Sequence, residues 1–456
     1  MTRDDDRANR FITRRQFLLR AGIVSTGGVL AASSLNACTS PASTTPQSPQ
    51  PTTAPAKVAS TNRTIQFSIE AGTSKTKNVQ ENLADFKQKT GIEPKLVEVP
   101  LENSREKIMT DMLSGSPQFD TSMTLAEAYL PQFAAAQLLE PIQQHMTAEQ
   151  LNDLSPLAKQ LSTYDGQLYG WPWFEHTVGI LYYRTDLLKE AGIVGADGNP
   201  KPPETWTEYV DAAKKLTKGD VYGTIVEAKR DQEPFWRFLG LLWQAGGDIF
   251  DDKGKVIIDS PEAVEAVQFQ VDLIHKHKVS PPGSFNYYNV DTHTLFLQGK
   301  LAMAENWPYM FPMANDPAQS KVVGNFAVAP TIGYRKRTWS TNGFTWIVPK
   351  NAKNKAEAIE FLKWVTSRPI LIDLAKRYQL PMSRQSLRDA PEITQYKHAS
   401  AVLQAVNMGR TIPLTPKWAE IRDAIIDEWQ AALLQQKQPL EAMRAAGERV
   451  RKVVGA

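Results

Sequence analysis

The chain has 456 residues, 42% of them hydrophobic and 22% charged, proportions that allow two or three domain-sized cores and exclude both global disorder and a multi-span membrane protein. Its formal charge of +3 arises in the first 37 residues, which hold six Lys/Arg against three Asp/Glu; the remainder is balanced and has no basic run to replace phosphate counterions, which excludes a nucleic-acid partner. The single cysteine, Cys38, excludes an intramolecular disulfide and a Cys-rich metal site.

In chain order, the first feature is Thr13-Arg14-Arg15-Gln16-Phe17-Leu18, paired arginines ahead of a moderately apolar stretch from Ala21 to Leu35. A spanning helix needs about 20 strongly apolar residues. This stretch is shorter and is broken by Gly27-Gly28 and Ser33-Ser34, so residues 1–37 read as a cleaved signal resembling the twin-arginine export type. Leu35-Asn36-Ala37-Cys38 resembles a lipobox, with Asn36 an unusual occupant, and makes Cys38 the expected lipid anchor. From Thr39 to Pro55, 13 of 17 residues are Ser, Thr or Pro, too polar to offset the entropy of ordering. Residues 38–63 are therefore expected to form a tether that lets a folded body work beside the membrane.

The body opens with Ile65, Phe67 and Ile69 alternating as in a strand, a turn at Gly72, and Val79, Leu83 and Phe86 at helical spacing before Gly91. A second strand is expected at Leu96 to Val99, which completes a strand-helix-strand unit of an α/β domain with a parallel sheet. Thr205 and Glu208 form a capping-box pair ahead of Val210 and Ala213, and Ser260-Pro261 precedes Val264, Val267, Val271 and Ile274 on one helical face. A strand is expected at Thr345 to Val348, a helix through Ala358, Phe361, Leu362 and Val365, and a last helix through Leu440, Met443, Gly447 and Val450. No repeat of fixed period is present, which excludes solenoids and propellers. Trp206, Trp364 and Trp429 lie on helical patterns as packing residues, and Trp243 and Trp418 stay unassigned. His275 and His277 diverge on a helix and make a poor metal pair, so they are expected on the surface.

Less generic is the run Leu-Tyr-Gly-Trp-Pro-Trp-Phe-Glu-His-Thr-Val-Gly-Ile-Leu-Tyr-Tyr-Arg-Thr-Asp-Leu-Leu from Leu168 to Leu188, followed by Pro202-Pro203-Glu204-Thr205-Trp206. Phe269 to Lys278, Ser280-Pro281-Pro282 and Glu305-Asn306-Trp307-Pro308-Tyr309 extend the pattern. From Thr64 to the last residue the chain resembles the periplasmic sugar-binding proteins of ABC importers (extracellular solute-binding protein family 1), and among them the trehalose/maltose-binding proteins. The resemblance implies a two-lobed α/β periplasmic-binding-protein fold with several interlobe crossings and a ligand cleft between the lobes. It places crossings near Gly170 to Pro172, Thr341 to Gly343 and Leu380 to Ser383, giving one lobe from 64–171 plus 343–380 and the other from 172–342 plus 381–456. It also implies a monomer without cofactor, metal ion or catalytic residue, which takes a small sugar and meets the permease subunits of an importer outside the cytoplasmic membrane.

A sugar presents apolar C–H faces and a rim of hydroxyls, which suit flat aromatic surfaces beside charged groups. By the resemblance, Trp307 is the expected stacking residue. Trp173, Phe174 and Glu175 occupy the segment where relatives hold an aromatic and a carboxylate. About one extra residue lies between Pro172 and Gly179, so either Glu175 or His176 can fill the polar role, and Glu175 is preferred. Arg105 and Arg410 match two ligand-contacting arginines, and Glu127 a carboxylate. Asn342-Gly343-Phe344 stands where relatives carry Gly-Gly-Trp, and Phe344 keeps the stacking while losing an N–H donor. Lys75 takes the place of an acidic contact, with Glu70 as a substitute, and Tyr309 completes the set.

The main rival is a secreted carbohydrate-active enzyme using Glu127, Glu175 or Glu305. The chain has no P-loop, Gly-x-Ser-x-Gly, His-Glu-x-x-His or Gly-x-Gly-x-x-Gly in support. A binding protein for glycerol phosphate or a polyamine is the second rival. Phosphate favours a basic site at a helix amino terminus, and a polyamine a carboxylate-rich aromatic box without paired arginines.

Overall fold

The computed structural model describes residues 63–378, 383–396 and 398–455. The expectations for the signal, Cys38, the tether up to residue 62 and most of the third crossing fall outside them.

Strand β1 (Thr64–Glu70) sends Ile65, Phe67 and Ile69 into the core. Gly72 then turns the chain at φ 67°, a torsion that favours a residue without Cβ. The helix Ser74–Thr90 starts on the Thr73 side chain and ends at Gly91, whose left-handed backbone returns its N–H to the Lys87 carbonyl. Strand β2 (Glu93–Val99) then runs parallel to β1 in register from Thr64↔Glu93 to Glu70↔Val99. On the other side β3 (Thr121–Leu125) is also parallel to β1.

Two later strands complete this sheet and leave it. Strand β4 (Gly170–Thr177) continues through Val178 and Gly179 into β5 (Ile180–Arg184), the middle of a second, antiparallel sheet flanked by β6 (Met303–Asn306) and β7 (Phe326–Pro330). The chain returns on β8 (Trp339–Ile347), antiparallel to β4 from Thr341 to Ile347. The last four residues of β8 pair with β3, and its first two with β9 (Gly409–Arg410). The two sheets are the centres of the two lobes, and β4 and β8 carry the chain between them.

Three helices of the second lobe matter for function: Gln232–Gln244, Asn289–Leu297 and Trp418–Leu433. After its opening turn the first is apolar except for Arg237 and Gln244, and it is buried along its length. Its Gly240 lies so close to β8 that a Cβ would come within 2.6 Å of the Trp339 ring, and this contact seats the helix against the interlobe strand.

The capping box at Thr205 and Glu208 and the Ser260-Pro261 helix start are both present. Trp206, Trp364 and Trp429 are buried with their indole N–H groups bonded to Gln244, Asp85 and Gln270, and Trp243 and Trp418 are buried too. His275 departs from the surface expectation: it is partly buried, with Nε2 2.8 Å from the Leu433 carbonyl at a helix end.

Candidate functional site

Elements of both lobes enclose a cavity of about 750 Å³. The first sheet and the segments after β1 and β3 supply the chain from Glu70 to Lys75, then Leu125, Tyr129, Phe174, His176 and Phe344. The second lobe supplies Arg230 to Glu233, Trp236, the turn and helix around Tyr288 to His293, Trp307, Tyr309, Arg422 and Asp423.

Aromatic rings form much of the wall. Phe174 and Phe344 face each other across the β4–β8 pair at 5.1 Å. Trp307 follows β6. The Asn306 side chain accepts its backbone N–H at 2.8 Å, and the Tyr182 hydroxyl donates to its carbonyl at 2.9 Å. His176 stacks on its ring at 4.2 Å, and Trp236 meets it at 86° and 5.7 Å.

The charged groups of the wall are largely tied to one another. Lys75 Nζ lies 2.5 Å from Glu70 Oε2 and 4.6 Å above the Phe344 ring. Arg230 bonds Asp427 at 2.6 Å, and Arg422 donates to Asp423 and Gln232. Glu233 differs. Burial and the nearby Glu227 carboxylate push its carboxyl up to about 8, with Arg237 acting in the opposite sense. At neutral pH it therefore holds a proton and can both donate and accept. Burial and the Lys75 cation keep His176 well below its usual value, so its imidazole is neutral. Tyr309 receives the Asn289 amide at 3.3 Å and lies 3.0 Å from His293 Nδ1.

Besides Glu70 Oε2, which faces the Lys75 ammonium, six side chains of this wall carry a buried polar atom with no hydrogen-bond partner among the described residues: His176 Nε2, Gln232 Nε2, Glu233 Oε2, Trp236 Nε1, Asn289 Oδ1 and Trp307 Nε1. Each such group costs about 1–3 kcal/mol when left unmatched. Concentrated beside aromatic rings, they make a wall complementary to a molecule with apolar faces and a hydroxyl rim. Behind them, Arg237 donates to Glu227 at 2.7 Å and to the Glu305 carbonyl at 3.1 Å, while Thr292 and Thr331 donate to Glu227 and Glu305. This buried network joins the helix bearing Trp236 to the strand that leads into Trp307.

Seven residues expected from sequence line the cavity: Phe174, Trp307, Phe344, Glu70, Lys75, His176 and Tyr309. Arg105, Glu127, Trp173, Glu175, Asn342, Gly343 and Arg410 do not, and each is held elsewhere. Arg105 binds Gln132 and Glu106. Arg410 bonds Asp248 at 2.6 Å and covers the Trp243 ring. Trp173 is packed against Trp346 and Phe174. Glu175 is fully buried between the Ser155 hydroxyl and the Arg388 guanidinium. A bulge explains this part: β4 and β8 pair at Phe174↔Phe344 and then at Pro172↔Thr345, leaving Trp173 as the extra residue. One extra residue reverses the faces along a strand. Phe174 and His176, two apart, therefore share the cavity side, and Glu175 between them takes the opposite one.

Glu127 accepts from the Asn342 side chain at 3.1 Å and from the Gly343 N–H at 3.2 Å, which withdraws all three from the cavity. Burial pushes its carboxyl up to about 7. The unfolded chain releases this proton near pH 4.5, so between there and about pH 7 the folded state binds more protons and loses stability as pH rises. Gln at position 127 lacks this titration. Glu127→Gln is thus expected to gain about 1–3 kcal/mol on the parent between pH 5 and pH 8 in urea unfolding; a stability difference equal at both pH values would contradict the assignment.

Gln232, Glu233, Trp236, Asn289 and His293 were not anticipated. The available signal was Arg230-Asp231-Gln232-Glu233, a polar quartet leading into a helix whose later residues are apolar except for Arg237 and Gln244, which leaves those groups little solvated face.

Among the described residues no helix is long and apolar enough to cross a membrane, and no group of three or more His, Cys, Asp or Glu is placed to hold a metal ion. Two α/β lobes, linked by shared strands around a deep aromatic and polar cavity, define a solute-binding protein. Residues 71–370 match the family described as bacterial extracellular solute-binding protein, and the chain belongs to that family. A probable ABC transporter-binding protein of Deinococcus radiodurans is 27% identical over 299 residues, 61% of this chain and 66% of that protein. The maltotriose-binding protein of Pyrococcus abyssi is 26% identical over 316 residues, 66% of this chain and 63% of that protein. The aligned stretch thus spans just under two thirds of each of these relatives. Maltose-bound MalE3 of T. maritima superposes with a TM-score of 0.78 at 27% identity, covering 85% of this chain and 99% of that one. A solute-binding protein of Thermotoga lettingae bound with alpha-D-tagatose gives 0.78 at 25% identity, covering 86% and 100%.

Proposed function

We propose that this protein captures a small, uncharged saccharide, an α-glucoside of the trehalose or maltose kind or a related osmolyte, and delivers it unchanged to the permease subunits of an ABC importer. The observation that carries the reading is the group of unmatched polar atoms set among Trp236, Trp307 and His176 in the interlobe cavity. Hydroxyls match such atoms, and C–H faces match the rings. The known saccharide ligands of the Pyrococcus and Thermotoga proteins support it. The contacts we assign to the ligand are Phe174, His176, Glu233, Trp236, Asn289, Trp307, Tyr309 and Phe344, with Glu70 and Lys75 at the first-lobe wall.

The lobes are taken as 64–171 plus 343–380 and 172–342 plus 381–456, with β4 and β8 as hinge strands whose torsions open and close the cavity. The export signal at 1–37 and lipidation at Cys38 would place the body, as a monomer, outside the cytoplasmic membrane. Against an enzyme, none of Glu127, Glu175 and Glu305 lines the cavity.

Calorimetry of the body from Thr64 onward against trehalose, maltose, sucrose and glucosylglycerol tests the reading. At least one is expected to bind at a single site and to be recovered intact by chromatography. Cleavage of the bound sugar would replace the proposal with the enzyme reading, and no binding by any of them would remove it.

A further inference from the structure

The ring closest to the face of Trp307 belongs to the protein itself. His176 lies 4.2 Å from the indole, centroid to centroid, with the planes 21° apart. Phe174 and Phe344 brace the imidazole at 5.9 and 5.0 Å, at 88° and 61°, while Trp236 meets the indole at 86°. The stack joins β4, paired in the first sheet, to the end of β6 in the second sheet. His176 reaches it because the extra residue at Trp173 turns positions 174 and 176 toward the cavity.

Stacking on an indole needs one uncovered face, and two rings cannot share it. The imidazole is neutral, so no charge has to be desolvated to keep it there. Its Nε2 has no hydrogen-bond partner among the described residues, and contact with other rings packs it in place.

We infer that His176 limits the length of saccharide the cavity accepts: its imidazole covers the area on Trp307 that an additional sugar ring would need. The inference rests on the cavity being a saccharide site. Its consequence is a preference for short ligands that cavity volume alone does not impose.

The test is calorimetry of the parent protein, His176→Ala and His176→Asn with trehalose, maltose and maltotriose, with thermal unfolding as the check that each variant is folded. The quantity read is the affinity for maltotriose relative to the tighter-binding disaccharide. This ratio is expected to rise about tenfold in both variants. Asn keeps a hydrogen-bonding side chain but gives up the ring, so agreement between Ala and Asn assigns the effect to covered area. An unchanged ratio, even with all affinities lowered together, would make His176 an ordinary contact and overturn the inference while leaving the saccharide reading intact. A rise in Ala alone would assign the effect to polarity and also overturn it. If no saccharide binds the parent or either variant, the saccharide reading fails and the inference falls with it.

Discussion

Trp307→Ala is expected to weaken saccharide binding by about 2–4 kcal/mol, roughly 30- to 1,000-fold. The indole is the meeting point of the wall: it is 2% exposed, faces His176 and receives the edge contact of Trp236. Its backbone is fixed by Asn306 and Tyr182, so the ring is presented without further ordering when a ligand arrives. Truncation removes the indole's contact area and its N–H donor together, and allows His176 and Trp236 to collapse into the space. The same burial means that folding stability falls as well, by about 3–5 kcal/mol. Calorimetry therefore has to be done well below the variant's unfolding temperature, with Trp307→Phe as a companion that keeps an aromatic face while losing the N–H and part of the indole's area. A folded Trp307→Ala protein with parental affinity would take Trp307 out of the site.

The second large effect falls on stability and concerns the acid first expected on the ligand. Glu175 is fully buried, and its carboxylate meets Arg388 and Ser155. Around this pair the segment from Ser383 is clasped to the first lobe: Asp153 binds Arg384 and Ser386 at 2.7 Å each, and the Ser155 N–H donates to the Ser383 carbonyl at 2.8 Å. Arg388→Met leaves an uncompensated carboxylate in the interior, a change that destabilises by about 3–5 kcal/mol. Burial already raises the Glu175 carboxyl above its usual value against the pull of Arg388. Without the guanidinium it rises further, so the loss should be greater at pH 8 than at pH 5. Adding Glu175→Gln removes the charge and should restore much of the stability. Urea unfolding of the two single variants and the double variant measures this directly. A loss in Arg388→Met below about 0.5 kcal/mol, within the range of ordinary surface substitutions, would contradict the role.

The fold was legible where the physics is local. Ile65, Phe67 and Ile69 alternate, Gly91 ends a helix with a left-handed cap, and Thr205 with Glu208 forms a capping box, each as the residue types dictate. Strand β8 was legible only in part. The sequence pattern suggests Thr345 to Val348, whereas the strand runs from Trp339 to Ile347 and is buried throughout. Its first half carries Ser340, Thr341 and Asn342, polar residues that local pattern assigns to a loop and that a crossing strand buries between lobes.

The site divides along the same line. Trp307 and Phe344, marked by their neighbours in sequence, line the cavity. Glu175 and His176 exchanged places because a single bulged residue, Trp173, decides which face each takes, and a bulge is set by pairing with a strand some 170 residues away. Glu127, Asn342 and Gly343, each expected on the ligand, instead bond one another. Glu233 and Trp236 escaped notice because a helix this rich in apolar residues looks like core; its packing on β8 through Gly240 sets it against the interlobe strand.

The most direct test of the central claim is a crystal structure of the body with the saccharide that calorimetry shows it to bind best. The sugar is expected in the interlobe cavity, with a ring face against the Trp236–Trp307 corner and hydroxyls on Glu233 and Asn289. A saccharide seated anywhere else on the protein, with the cavity walls untouched, would contradict the account.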